Sequence, residues 1–475
     1  MSGVCGINQL PFELLSQILV MATRGPITLS EISFSRCYEP LPSHVNQLHS
    51  VCSYWRDVAL QTPELWHRQI LPISGFGIHL SGCLAEKSGM YLERSAPLPF
   101  KVVISPFNND EEVILSPALL AARDRWSSLV VEPYRRLRQS DIQVLSELPI
   151  DGFRKLGKVV IDITKELDRD GRVGVLVRWP EDGITLDFRD APQLRDFILR
   201  VPWEAPIAFP EAPWAQLVEV TVSHPSAQSC LEAVVACIKA TSISIDTSQW
   251  AESAHPGPTE TSVLLPLLDT LELRIDIWST GEHLAPFLRR IRAPKLKRLT
   301  LRHRIDLNRE GWTARPAIQT LETFLQHAPE VEQLVLSCPI DVHELPFVLI
   351  KTPNITTLQF SNPPTTVEDD GFFEDMQSLA AQMIAPKLTE IEMFNIGDMF
   401  SERAFEGFVR SRWWLAPSWV SPEVGGISRL KKVIIRNPWQ PDFDLAEFAR
   451  LLCLLRAEGL VTSYHTQRSG HWEYI

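Results

Sequence analysis

The sequence predicts an α/β chain in two parts: a small all-α module at the N-terminus, then an irregular α/β solenoid with a parallel sheet on its concave face. Three observations predict it. Apolar residues recur at helical spacing near the N-terminus. A short apolar phrase returns along the rest of the chain, with spacings mostly in the twenties to thirties. Prolines stand at fixed offsets from that phrase.

The helical module is assigned to residues 1–70. Pro11 fits a first helical position, where its missing N–H costs nothing. Leu14, Leu15, Ile18 and Leu19 then follow at helical spacing. Gly25, Pro26, Pro40 and Pro42 break the pattern, so residues 24–42 read as a loop or insertion. Val45, Leu48, Val51, Cys52, Trp55, Val58 and Ala59 fall on one face of a second predicted helix. Thr62 is an N-cap and Pro63 a first helical residue, starting a short third helix with Leu65 and Trp66.

Residues 71–125 are expected to connect the module to the solenoid or to cap it, with the solenoid itself over 126–475. Its phrase is apolar–x–x–apolar–x–apolar. The copies are Leu194/Phe197/Leu199, Leu217/Val220/Val222, Leu268/Leu271/Leu273 and Leu296/Leu299/Leu301. They continue as Val331/Leu334/Leu336, Ile355/Leu358/Phe360, Leu388/Ile391/Met393 and Leu430/Val433/Ile435. Weaker copies start near Trp126, Leu156 and Ala240. Pro192, Pro294, Pro329, Pro353 and Pro386 lie two residues before the first apolar position. Pro202, Pro225, Pro339, Pro363 and Pro438 lie eight residues after it. Proline fixes φ and lacks a donor, so each phrase is a short strand between stops. Helical patterns such as Leu321–Leu325 and Phe443–Leu455 lie between strands. One such unit cannot bury its own apolar face, so neighbours must stack.

Two resemblances follow. Leu10-Pro11-x-Glu13-Leu14-Leu15-x-x-Ile18-Leu19, Val51-Cys52-x-x-Trp55-Arg56-x-Val58-Ala59 and Pro63-x-Leu65-Trp66 together resemble an F-box, in particular that of the large fungal F-box protein families. The departure from that pattern is the insertion at 24–42. The proline-framed phrases resemble the divergent leucine-rich repeats that such proteins carry after the F-box. In place of the Asn or Cys of a standard repeat, Pro is the most frequent residue, which implies irregular turns. The resemblance implies a substrate-recruiting subunit that binds a Skp-type adaptor and, through it, a cullin ubiquitin ligase. It implies adaptor contacts from Leu10, Pro11, Leu14, Leu15, Ile18 and Leu19, with Val51, Cys52 and Trp55 shared between that contact and the module's own core. The alternative is a leucine-rich-repeat interaction scaffold acting outside ubiquitination.

Composition fits this reading. The chain is 45% hydrophobic and 22% charged, with a net charge of −12 and a pI near 5.6. That acidity argues against nucleic acid or an anionic membrane as partner. No apolar run approaches the ~20 residues of a membrane span, and no secretory signal is evident. Eight scattered cysteines read as reduced, mostly buried thiols, and the expected compartment is cytoplasmic or nuclear.

Strand alternation puts the residues flanking the last two apolar positions of each phrase on the concave face. Thr270, Glu272, Arg274, Arg298, Thr300, Arg302, Gln333, Val335, Glu390, Glu392, Phe394, Lys432, Ile434 and Arg436 fall there. Among these, Arg274, Arg298, Thr300, Arg302, Glu390, Phe394 and Arg436 are candidate contacts for an unknown target protein. Eight Lys/Arg fall within 289–304, and a solvated face is the plain reading of such a run. The sharper one is a pocket for an acidic or phosphorylated target segment, carried by Arg298 and Arg302. The acidic stretch at 368–375 reads as an exposed loop or a counterweight to that run. Burial is the ordinary expectation for Trp413 and Trp414, and exposure would mark a contact hot spot. No nucleophile elbow, phosphate loop, dinucleotide fingerprint or zinc spacing is present, so neither an active site, a cofactor nor a metal is expected.

Overall fold

In a computed structural model the chain is described at residues 10–22, 51–66, 71–73, 89–90, 92–104, 115, 117–131, 139–149, 151–164, 180–181, 183–202, 205–247, 262–275, 284–303, 315–337, 344–361, 373, 376, 384–394, 402–413, 427–437, 446–468 and 471–474. It divides into two compact units, Met1–Pro213 and Trp214–Ile475. The chain is α/β, and its strands are overwhelmingly parallel.

The first unit opens with helix α1 (Phe12–Ala22), helix α2 (Ser53–Leu60) and a 3₁₀ turn at Pro63–Leu65. Strands β1 (Leu71–Ile73), β2 (Phe100–Ile104), β3 (Trp126–Val131), β4 (Lys158–Asp162) and β5 (Asp196–Arg200) then pair in sequence order, all parallel. Helices α3 (Pro117–Ala121) and α4 (Gln139–Ser146) lie between them in the chain. Thus 71–125 is more than a connector, because β1 and β2 extend the sheet ahead of the first predicted phrase. An aromatic spine runs through the core: Trp126, Phe153, Phe188 and Phe197 are buried, with successive ring centroids 5.8, 5.6 and 5.9 Å apart. Gly183 has φ +71°, and a Cβ there would stand 2.6 Å from the Pro206 carbonyl oxygen. Only glycine fits that approach without strain.

The second unit carries β6 (Glu219–His224), β7 (Ser242–Thr247), β8 (Val263–Leu264), β9 (Thr270–Ile275), β10 (Ile291–Arg292), β11 (Arg298–His303), β12 (Gln333–Ser337), β13 (Thr357–Ser361), β14 (Glu390–Phe394), β15 (Lys432–Asn437), β16 (Val461–Arg468) and β17 (His471–Tyr474). Strands β6, β7, β9 and β11–β16 form one parallel sheet, which β17 closes by folding back antiparallel on β16. Strands β8 and β10 pair separately. Between strands the chain forms α5 (Ala227–Ala236), α6 (Ala285–Arg290), α7 (Arg315–Gln326), α8 (Leu345–Ile350), α9 (Glu402–Trp413) and α10 (Ala446–Ala457). Each turns an apolar stripe inward, for instance Ile318, Leu321, Phe324 and Leu325 from α7, as the helical spacing predicts.

The apolar phrase holds at every copy. All three positions of each of the eleven phrases are buried, from Trp126/Leu129/Val131 to Leu430/Val433/Ile435. The register stacks like on like: Leu299 pairs with Leu271 on one side and Leu334 on the other. Full burial of such a side chain contributes roughly 1.5–3 kcal/mol.

The leading proline has a specific task. The residue before it accepts a backbone bond from the first apolar residue: Leu194 N to Ala191 O (3.1 Å), Leu296 N to Ala293 O (3.1 Å), Ile355 N to Thr352 O (3.1 Å) and Leu388 N to Ala385 O (3.1 Å). Proline is therefore the second residue of a tight turn, where its fixed φ is favoured. The next residue then donates to the preceding repeat, as Asp269 N does to Thr241 O, Lys297 N to Asp269 O and Glu332 N to Lys297 O (2.9, 2.9 and 2.8 Å). Of the trailing prolines, Pro202 and Pro225 lie just past β5 and β6, while Pro339, Pro363 and Pro438 lie outside the described residues.

Among the four described cysteines, Cys230 and Cys237 are buried, and burial pushes both thiols up to about 12. A raised folded-state value keeps the thiol protonated at pH 8, so neither is a nucleophile there. Iodoacetamide mapped by mass spectrometry should label exposed Cys453 in the native chain and leave Cys230 and Cys237 untouched until denaturant is added. Native labelling of either would contradict this packing.

Candidate binding surfaces

The N-terminal module sorts its apolar residues onto two faces. Leu15, Leu19 and Val20 of α1 are buried against Val58 and Ala59 of α2 and against Leu65 and Trp66. Leu10, Tyr54, Trp55 and Leu60 pack around that cluster while partly buried. Buried polar groups tie it together: Trp66 Nε1 donates to the Ala59 carbonyl (2.8 Å), and the Thr62 hydroxyl donates to the Val58 carbonyl (2.7 Å). Tyr54 Oη donates to the Leu10 carbonyl (2.7 Å). Arg94 stacks on the Trp66 ring, 4.6 Å from its centroid.

The other face of α1 is bare. Leu14 is 49%, Ile18 38% and Met21 59% exposed, and these three follow one another at i, i+4 and i+7. Pro11 at the head of the helix and Phe12 are exposed too, as is Val51 at 56%. Leu15 and Leu19 are therefore corrected from predicted adaptor contacts to core residues. Met21 and Phe12 were missed, although Met21 continues the spacing of Leu14 and Ile18.

The predicted second helix also needs correction. Cys52 is extended (φ −161°, ψ 172°) and caps α2, its sulfur accepting from Trp55 N at 3.4 Å. Val51 and Trp55 thus do not share one helical face, and the chain turns between them. Val45, Leu48 and the 24–42 insertion lie outside the described residues. Thr62 precedes the 3₁₀ turn without capping it, because its hydroxyl is engaged by Val58 and lies 3.0 Å from that of Ser16.

On the sheet, strand register sets the outward residues in rows. Thr270, Arg298 and Gln333 align, then Glu272, Thr300 and Val335, then Arg274 and Arg302. Glu390 aligns with Lys432, Glu392 with Ile434 and Phe394 with Arg436. Most of the charges meet partners across the rows. Arg302 Nε lies 3.1 Å from Glu272 Oε1, Arg436 Nε 2.7 Å from Glu392 Oε1, and an Arg274 amino group 3.4 Å from Asp246 Oδ2. Lys432 reaches Glu390 at 3.7 Å, and Arg436 also stacks over Phe394 at 5.5 Å.

That pattern changes two expectations. Thr300 is only 5% exposed, so it supports the face and is not open to a partner. The basic run 289–304 does not form one strip. Arg289 and Arg290 end α6, Arg292 sits on β10, and Arg298 and Arg302 project from β11. Arg302 is compensated by Glu272, whereas no ion pair engages Arg298 among the described residues. Trp413 is buried, with Nε1 donating to Glu458 (2.9 Å) and Arg429 stacked on its ring at 3.7 Å. Trp414 and most of 368–375 lie outside the described residues; Phe373 within that stretch is buried against Phe405 and Phe408.

The Arg302–Glu272 pair is half exposed, so it contributes little. Arg302→Ala should cost no more than about 1 kcal/mol in a denaturant titration. A loss above ~2 kcal/mol would mean that the side chain supports the core.

No protein-family model and no curated protein matches this chain. No helix is long and apolar enough to cross a membrane, and no cluster of metal-binding side chains occurs, among the described residues.

Proposed function

We propose that the chain is the substrate-recruiting subunit of a Skp–cullin–F-box type ubiquitin ligase, held to a Skp-type adaptor by the N-terminal module. The carrying observation is the two-faced α1. Its Leu15/Leu19 stripe already makes the module's core, while the neighbouring Leu14/Ile18/Met21 stripe remains exposed beside Pro11. An apolar helix stripe of this spacing suits the groove of a helical partner. The motif Leu10 to Trp66 supplies the choice of partner through its resemblance to an F-box. The chain then acts by raising the local concentration of a target near the ligase, with no chemistry of its own.

The target face on this reading is the outward side of the second unit's sheet. Arg274, Arg302, Glu390 and Arg436 contribute there as members of charge pairs, with Arg298 and Phe394 available beside them. A target would recognise this alternation of charge in place of an uncompensated cationic pocket. The proposal is tested by co-expressing the full chain with a Skp-type adaptor and purifying on the adaptor's tag. Stoichiometric co-purification is expected. A folded chain that stays behind would overturn the ligase reading and favour an interaction scaffold acting outside ubiquitination.

A further inference from the structure

The basic run at 289–304 leaves one part of its charge outside the sheet face. Arg289, on the last turn of α6, and Arg292, on β10, border an open cavity of about 350 Å³ with α7 as its other wall. That volume lies at the small end of the range for small-molecule sites, about 300–1,000 Å³. Its polar lining includes Gln319, Thr320 and His327, and the edge of Phe324, otherwise turned into the core, reaches its floor. Among the described residues no carboxylate lines it.

The local fold explains how these groups converge. Ile291 turns into the core, so strand alternation sends Arg292 outward. The Arg289 guanidinium reaches across to α7 and donates to the Thr320 hydroxyl at 3.5 Å. His327 Nδ1 lies 2.8 Å from the Thr323 carbonyl, which only accepts. Nδ1 therefore carries the proton and the ring is oriented, which leaves Nε2 as an acceptor suited to a ligand hydroxyl. Neither Arg289 nor Arg292 has an acidic partner among the described residues, unlike Arg302 on the sheet face.

The geometry points to a binding site for a small phosphate-bearing molecule in this cavity, with Arg289 and Arg292 holding the phosphoryl oxygens. Two guanidinium forks, with several N–H donors between them, match the several oxygens of a phosphate better than the two of a carboxylate. The site is independent of the adaptor and target surfaces, since it lies on helices and on the separate β8–β10 pair.

Calorimetric titration of the full chain with inorganic pyrophosphate, and in parallel with citrate, tests it. Pyrophosphate should bind saturably at one site and at least tenfold more tightly than citrate. Arg289→Gln with Arg292→Gln should weaken it at least tenfold. Arg298→Gln, which removes one charge from the same stretch but on the sheet face, should leave it unchanged. Both arginines are at the surface, so folding is not at stake, and circular dichroism confirms it. Absence of saturable binding, citrate binding as tightly as pyrophosphate, or equal weakening by the Arg298 variant would each overturn the assignment.

Discussion

Leu14→Asp combined with Ile18→Asp should abolish capture of the chain by a Skp-type adaptor while leaving its melting temperature within a degree or two. Both side chains lie outside the module's core, 49% and 38% exposed, so charging them leaves the Leu15/Leu19 packing in place and the new carboxylates in water. In a complex the same carboxylates would be forced against an apolar groove, at a cost of several kcal/mol for each unpaired charge. The matching core pair behaves in the opposite sense. Leu15→Ala with Leu19→Ala opens cavities against Val58, Ala59 and Trp66, and each should cost about 2–5 kcal/mol. Those variants would lose capture by unfolding the module. Pull-down together with thermal unfolding separates the two. Full capture by the doubly charged variant would sink the adaptor proposal, whatever the core variants do.

The second large effect lies in the repeat. Leu299 is fully buried between Leu271 and Leu334, whereas Arg298 beside it is exposed on the opposite side of the sheet. Leu299→Ala should cost about 2–5 kcal/mol by denaturant titration, and Arg298→Ala no more than about 0.5 kcal/mol, the usual range for a surface change. If the two costs came out equal, the inward and outward assignment of β11 would be wrong, and with it the rows of charge.

These two tests also mark what the sequence makes legible. The phrase is readable because its three inward positions answer to one demand, the exclusion of water, and that demand recurs wherever strands stack. Proline was readable as punctuation, but its role as the second residue of a tight turn needed the backbone bond from Leu194 to Ala191 and its counterparts. Strand β2 escaped for a geometric reason. Its register slips between Phe100 and Lys101, so Phe100 meets Trp126 while Val102 meets Leu129, and the spacing no longer matches the phrase. Strand β16 escaped for a chemical one. Opposite Val433 and Ile435 it carries Thr462 and Tyr464, and the buried Thr462 hydroxyl is held by the Leu452 carbonyl at 3.3 Å.

The surfaces were harder to read. Leu14/Ile18 and Leu15/Leu19 have the same spacing, and nothing local says which stripe the module keeps for itself. That is decided by Val58, Leu65 and Trp66, far along the chain. The partners that neutralise Arg302 and Arg436 are likewise one strand away in space but a whole repeat away in sequence, at Glu272 and Glu392. A local run of arginines therefore overstated the free charge on the sheet.

The reversal at β17 bears on how copies of this chain meet in a crowded cell. A row of parallel strands is a template that invites another such row to continue it, because unpaired N–H and C=O groups wait along its rim. Here the strand next to β16 runs the other way, pairing His465 with Tyr474 and Arg468 with His471. An incoming parallel repeat would find no leucine ladder to extend. What that rim offers is β17's own backbone edge, running against the stack, with His471, Trp472, Glu473 and Tyr474 in the strand in place of the repeat's leucines.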